Sequence, residues 1–239
     1  MNANRQKERS MQITTANLIR WGGLSAMVTG IIFAGIQPIH PPDVLASVTT
    51  SAWAIITTLK TVMCLFGLFG IAGLYARQVE KAGWLGLIGY LLLTIFYAVQ
   101  MCFAFTEPLI LPLLATEAPK FVAGFLGILS STPSAVSLGA IPTINGLLAV
   151  LYLLGTLLFG IAIFRARILS RWAAGLLAGS GPLAIILTLI GHPINRIAAV
   201  PMGIALIGLG YALWSERRTP ALTPIAAEGS PQLRPTEAK

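Results

Sequence analysis

Eight side chains carry whatever chemistry the chain has to offer: His40, Asp43, Lys60, Gln100, Glu107, His192, Asn195 and Arg196. Lys60 stands out because it interrupts an otherwise apolar stretch. A cation held within hydrocarbon is costly, about 2.5–3.5 kcal/mol on insertion scales, and such a residue is by default a candidate for function. The others gather around prolines, in His40-Pro41-Pro42-Asp43, Glu107-Pro108 and His192-Pro193-Ile194-Asn195-Arg196. Two imidazoles with a carboxylate can hold a metal ion, and two imidazoles can ligate a haem. The plainer alternative is that polar groups at helix ends face water, with Asp43 or Glu107 pairing with Arg196. For Lys60 the plainer alternative is a stem that snorkels outward toward Glu107 or Asp43. No cofactor is named by the sequence, and no nucleophile elbow, phosphate-binding loop, paired catalytic carboxylates or Cys-His arrangement is present. Ser180, in Gly179-Ser180-Gly181, reads as a packing residue, and no side chain is assigned a catalytic role.

The elements that must position these groups follow from composition. Of 239 residues, 56% are hydrophobic and 10% charged, far from the roughly 25% charged usage of soluble domains. The chain reads as an all-α, polytopic transmembrane bundle with the lipid bilayer as its first partner. Six spans are expected, at about 18–38, 51–76, 83–106, 144–164, 172–190 and 198–215. They are preceded by a cytoplasmic segment, 1–17, and followed by a disordered, proline-rich cytoplasmic tail, 216–239. Residues 107–142 contain five prolines and an apolar piece, 121–129, too short to cross about 30 Å of hydrocarbon. A helix at 119–131 is therefore expected to lie on or dip into the outer face, where its backbone must be covered by protein.

A net charge of +8 raises the question of nucleic acid. Of the 16 basic residues, however, thirteen fall on one side of the alternating spans. Lys120 and Arg196 fall on the other, and Lys60 lies within a span. Basic residues in short loops set orientation in the membrane, so the charge reports topology: both termini in the cytoplasm, and no nucleic-acid role. Tryptophan favours the membrane interface. Trp21, Trp84, Trp172 and Trp214 fall at cytoplasmic ends of the spans and Trp53 at an outer end, which places Lys60 about 10 Å inside the outer interface.

The hairpin from Gly155 to Gly179 has an echo earlier in the chain. Leu68, Phe69, Gly70, Ile71, Ala72, Ala76, Arg77 and Lys81 recur without a gap as Leu158, Phe159, Gly160, Ile161, Ala162, Ala166, Arg167 and Arg171. Internal repeats of inward-facing hairpins occur in transporters and also arise by simple duplication. If the first turn centres near Glu80, Lys60 and Gln100 lie at one depth and in reach of each other. Cys64 and Cys102 then differ in depth by about 9 Å, and each reads as an apolar filler. Glycines at short spacings, among them Gly67, Gly70 and Gly73, allow close helix packing and leave the oligomeric state open.

Arg20-Trp21-Gly22-Gly23, the LFGIA run with its following Ala-Arg, and Arg171-Trp172-Ala173-Ala174-Gly175-Leu176-Leu177 together resemble small uncharacterised bacterial multi-pass inner-membrane proteins classed as domains of unknown function. The resemblance spans about residues 18–215 and implies a bacterial plasma (inner) membrane, with no catalytic residue to carry over. Three functions stay open. One is small-solute transport or binding through an outward-facing polar mouth built from the eight residues above. The second is a haem- or metal-dependent membrane redox enzyme using His40 and His192, and the third is a non-catalytic accessory subunit.

Overall fold

The computed structural model describes residues 14–128, 132–190 and 194–216, with the side chains of 189, 190, 194 and 195 outside that description. The expected N-terminal segment and tail therefore lie almost wholly outside the described residues. Within them the chain forms seven α-helices, three short 3₁₀ helices and no strand. They are α1 (Thr15–Gly35), α2 (Ser51–Leu109), α3 (Leu111–Glu117), α4 (Pro119–Gly127), α5 (Ile141–Ala166), α6 (Arg171–Ile190) and α7 (Ala199–Ser215). Five stretches of helix are long and apolar enough to cross a membrane. Large apolar side chains such as Leu18, Phe69, Ile95 and Leu147 stand exposed on their outer faces, which suits a lipid surround.

Local chemistry starts and sustains these helices. The Thr14 hydroxyl accepts from the Asn17 amide at the start of α1, and the Thr50 hydroxyl accepts from the Trp53 amide at the start of α2, each satisfying a donor that the first turn leaves unpaired. Hydroxyls within the apolar stretches turn back on their own helix: Thr29 donates to the Ser25 carbonyl at 2.8 Å and Thr57 to the Trp53 carbonyl at 2.7 Å. Ser180 is buried and donates to the Leu177 carbonyl, in keeping with a packing role.

The 59 residues of α2 would make a rod of about 88 Å if straight, nearly three times the hydrocarbon thickness. Gly83 breaks it, with φ +57° and ψ −163°, a conformation open in practice only to glycine. The chain folds back there, so that Tyr75 stacks on Tyr90 with ring centroids 4.6 Å apart and the Trp53 indole donates to the Glu107 carbonyl at 3.1 Å. The first arm, 51–82, and the second, 84–109, form a hairpin. The reversal lies three residues beyond Glu80, and residues 77–82, expected as a turn, are helical.

Packing closes the helices into a ring. α1 lies between α7 and the first arm of α2; the second arm meets α5, α5 meets α6, and α6 returns to α7. Contact between α1 and the first arm is close: a Cβ on Gly22 would come within 2.6 Å of the Gly73 Cα. The shared core includes Leu74, Leu93, Tyr97, Phe159, Ile163, Leu177, Met202 and Leu209.

Residues 107–142 depart from expectation. The second arm runs on through Pro108 to Leu109; the helix expected at 119–131 forms over Pro119–Gly127 as α4, and a further short helix, α3, precedes it. Val122, Phe125 and Leu126 of α4 join Leu111, Val48 and Trp53 in a second apolar cluster that caps this end of the ring. The repeated sequence motifs also end differently: the first hairpin reverses at Gly83, whereas α5 ends at Arg167 itself, in the left-handed conformation with φ 54°.

Candidate functional site

At the end of the ring remote from the Gly83 and Arg167 turns lies a cleft of about 460 Å³. The expected residues meet there from distant parts of the chain. His40 and Asp43 come from the segment after α1, Lys60 and Gln100 from the two arms of α2, and Arg196 from the 3₁₀ helix before α7; all five line the cleft. Glu107 lines a smaller adjoining recess of about 60 Å³ beneath Phe125 and Leu126 of α4, which Asp43, Lys60 and Gln100 share. His192 lies outside the described residues. Asn195 is in the 3₁₀ helix Ile194–Ala198, and its side chain is likewise outside the description.

Two ion pairs organise the site. Lys60 donates to Glu107, with side chains 13% and 8% exposed. Arg196 donates to Asp43 at 2.5 Å and, more weakly, to the His40 carbonyl at 3.4 Å. Lys60 thus reaches along its helix toward Glu107, as an amphipathic stem allows. Its partner is Glu107 rather than Gln100. The reason is the position of the hairpin reversal: with the mirror point at Gly83 instead of Glu80, Glu107 comes level with Lys60. Trp53, expected at an outer end of a span, is 1% exposed. Its indole is tied to the Glu107 carbonyl and stands T-shaped to the His40 ring, centroids 5.9 Å apart. The ring thereby walls the recess beside Glu107.

The His40 ring is held by its Nδ1, 2.7 Å from the Pro41 carbonyl oxygen. Burial, followed by the positive charges of Lys60 and Arg196, drives its pKa below the ordinary histidine value. The Pro41 carbonyl and Asp43 oppose that shift without reversing it. His40 is therefore uncharged at neutral pH. The metal or haem alternative needs His192 beside it. Among the described residues, no three or more His, Cys, Asp and Glu side chains are arranged to hold a metal, and Cys64 and Cys102 are free thiols.

One lining residue escaped the sequence reading. Asn145, near the start of α5, lines both the cleft and the recess beside Gln100. An asparagine four residues into an apolar helix after Ile141-Pro142 carries the same signal as Gln100, a carboxamide in a lipid-facing run. Apolar side chains, including Phe33, Met63, Phe96 and Leu148, make up the remaining walls. The arrangement can enclose a small molecule and offer it hydrogen bonds, while its charges are occupied with each other.

The chain matches no protein-family model, no curated protein and no solved structure.

Proposed function

We propose that this chain is a six-crossing protein of the bacterial plasma membrane, with both termini in the cytoplasm, that binds or carries a small solute through the outward-facing cleft. The observation behind this reading is convergence: residues from segments as far apart as His40 and Arg196 line one depression of about 460 Å³, a volume suited to a small ligand. The two arms of α2 count as separate crossings, which with the other four candidate spans makes six. Orientation is supported by the grouping of basic and aromatic side chains at the opposite end. There Arg77 holds Glu216, Arg20 lies 4.9 Å from the Trp214 ring centroid, and Arg171 lies 4.2 Å from that of Phe164.

Mass spectrometry of small molecules co-purifying with the full-length protein tests the reading. A compound enriched with the parent protein and lost from Gln100→Leu and Asn145→Leu variants that keep their size-exclusion profile is the expected outcome. If no compound separates parent from variants, and no saturable binding appears in a thermal-shift screen of the extract, the reading fails.

A further inference from the structure

We infer that the cleft takes an uncharged amphiphile: a mainly apolar molecule with one hydrogen-bonding head, an amide, ketone or hydroxyl, held by the carboxamides of Gln100 and Asn145. This inference rests on the cleft being a binding site and adds the chemical class of the occupant.

Among the described residues, every formal charge at the cleft is already committed. Lys60 is taken by Glu107 and Arg196 by Asp43, so the four sum to zero and set up no net potential that would gather ions of either sign. An anion would have to draw Lys60 or Arg196 away from its carboxylate, and a cation would have to do the reverse. Either exchange leaves a side chain no more than a fifth exposed without its counter-charge, which is strongly unfavourable in a buried setting. His40 adds no charge: its burial, reinforced by Lys60 and Arg196 facing it, prevails over the opposing pull of the Pro41 carbonyl and Asp43.

What remains uncommitted is neutral. Gln100 and Asn145 are partly buried and line both the cleft and its recess, and their side chains make no hydrogen bond to any described residue. Each amide offers two donors and an acceptor, enough to hold a carbonyl or hydroxyl without ionisation. The apolar body then lies along Phe33, Met63, Phe96 and Leu148, where removal of its surface from water supplies the driving force.

Three probes of one chain length separate head charge from apolar burial: octanamide, octanoate and octylamine, at pH 7.5, with the full-length protein in lipid nanodiscs. Radiolabelled octanamide should bind saturably. Unlabelled octanoate and octylamine should compete at least tenfold less well than octanamide. Affinity should fall at least tenfold in Gln100→Leu and, independently, in Asn145→Leu, two variants that allow for the failure of either to fold. Equal competition by a charged homologue, with binding still lost in the variants, overturns the neutral class while leaving the cleft a binding site. Saturable octanamide binding unchanged in both variants overturns the assignment of the head to these amides. Absence of saturable binding by any of the three overturns the class itself, and the co-purification experiment then decides the cleft separately.

Discussion

Lys60 and Glu107 illustrate how one buried pair can serve the fold and the site at once. With side chains 13% and 8% exposed, neither can lose its partner without leaving a charge in a poorly hydrated setting. Glu107→Leu, which strands Lys60, should destabilise the protein by about 3–5 kcal/mol, whereas Lys60→Met combined with Glu107→Leu should recover most of that loss. Unfolding by a denaturing detergent titrated into mild-detergent micelles measures both; a double variant as unstable as the single one would mean that the pair is not the unit described. His40 gives a second test at this scale. Its folded pKa is lowered, so below the ordinary value of about 6.5 the unfolded chain takes up the proton more readily than the folded one. Stability should therefore be undiminished above that pH and decline as pH falls through it. His40→Asn should flatten the change in melting temperature between pH 7.5 and 5.5, and an unchanged pH profile in that variant would remove His40 as its source. Lys60 was legible in the sequence because a charge in an apolar run has few explanations. Its partner was not, since three residues of error in the turn moved Gln100 into the place of Glu107.

At the level of elements, the hydrocarbon core leaves the backbone little choice but helix, which is why every apolar stretch read from the sequence appears as one. The ends were harder. α1 begins at Thr15 rather than Leu18 because the Thr14 hydroxyl caps it, a local bond that hydropathy does not register. Of the α3 and α4 cap only α4 was anticipated, nine residues long; α3, of seven, carries too short a pattern to read, and Leu111 of α3 joins the cap's apolar cluster only against Val48 and Trp53. Gly83 is the element on which the hairpin turns. A Cβ there would meet nothing within 4 Å, so substitution acts through backbone conformation alone. Gly83→Ala should cost about 1–3 kcal/mol for forcing a side chain into that region. Gly175→Ala, in mid-helix and equally free of neighbours, should instead be neutral or stabilising by up to about 1 kcal/mol. The two variants compared in one unfolding assay isolate the effect; equal melting temperatures would place the reversal elsewhere.

For the molecule as a whole, the closed ring and the grouping of charge belong together. Basic side chains crowd the end where α2 and the α5–α6 connection turn, and the paired charges sit at the other, beneath the α3 and α4 cap. Such a distribution is the one that short basic loops staying on the cytoplasmic side would produce, and it could be read from the sequence because it depends only on counting residues along the chain. The convergence of His40, Gln100, Asn145 and Arg196 could not, since it depends on which helices become neighbours when the ring closes. Orientation and the sharing of one end by the two turns can be tested in one experiment. In a background with Cys64 and Cys102 replaced by alanine, single cysteines are placed by Glu80→Cys and Ser170→Cys at the basic end and by Glu117→Cys on the cap. A membrane-impermeant maleimide should label the cysteine at 117 in intact cells, and those at 80 and 170 only after permeabilisation. Labelling of 80 and 170 on opposite sides would break the hairpin scheme, because residues that share one end of the ring cannot face different compartments. Labelling of both from outside would invert the orientation and turn the cleft toward the cytoplasm, where its occupant would be an intracellular amphiphile. The geometry of paired charges and free carboxamides would survive that inversion, since it depends on the packing of the helices and not on which compartment they open to.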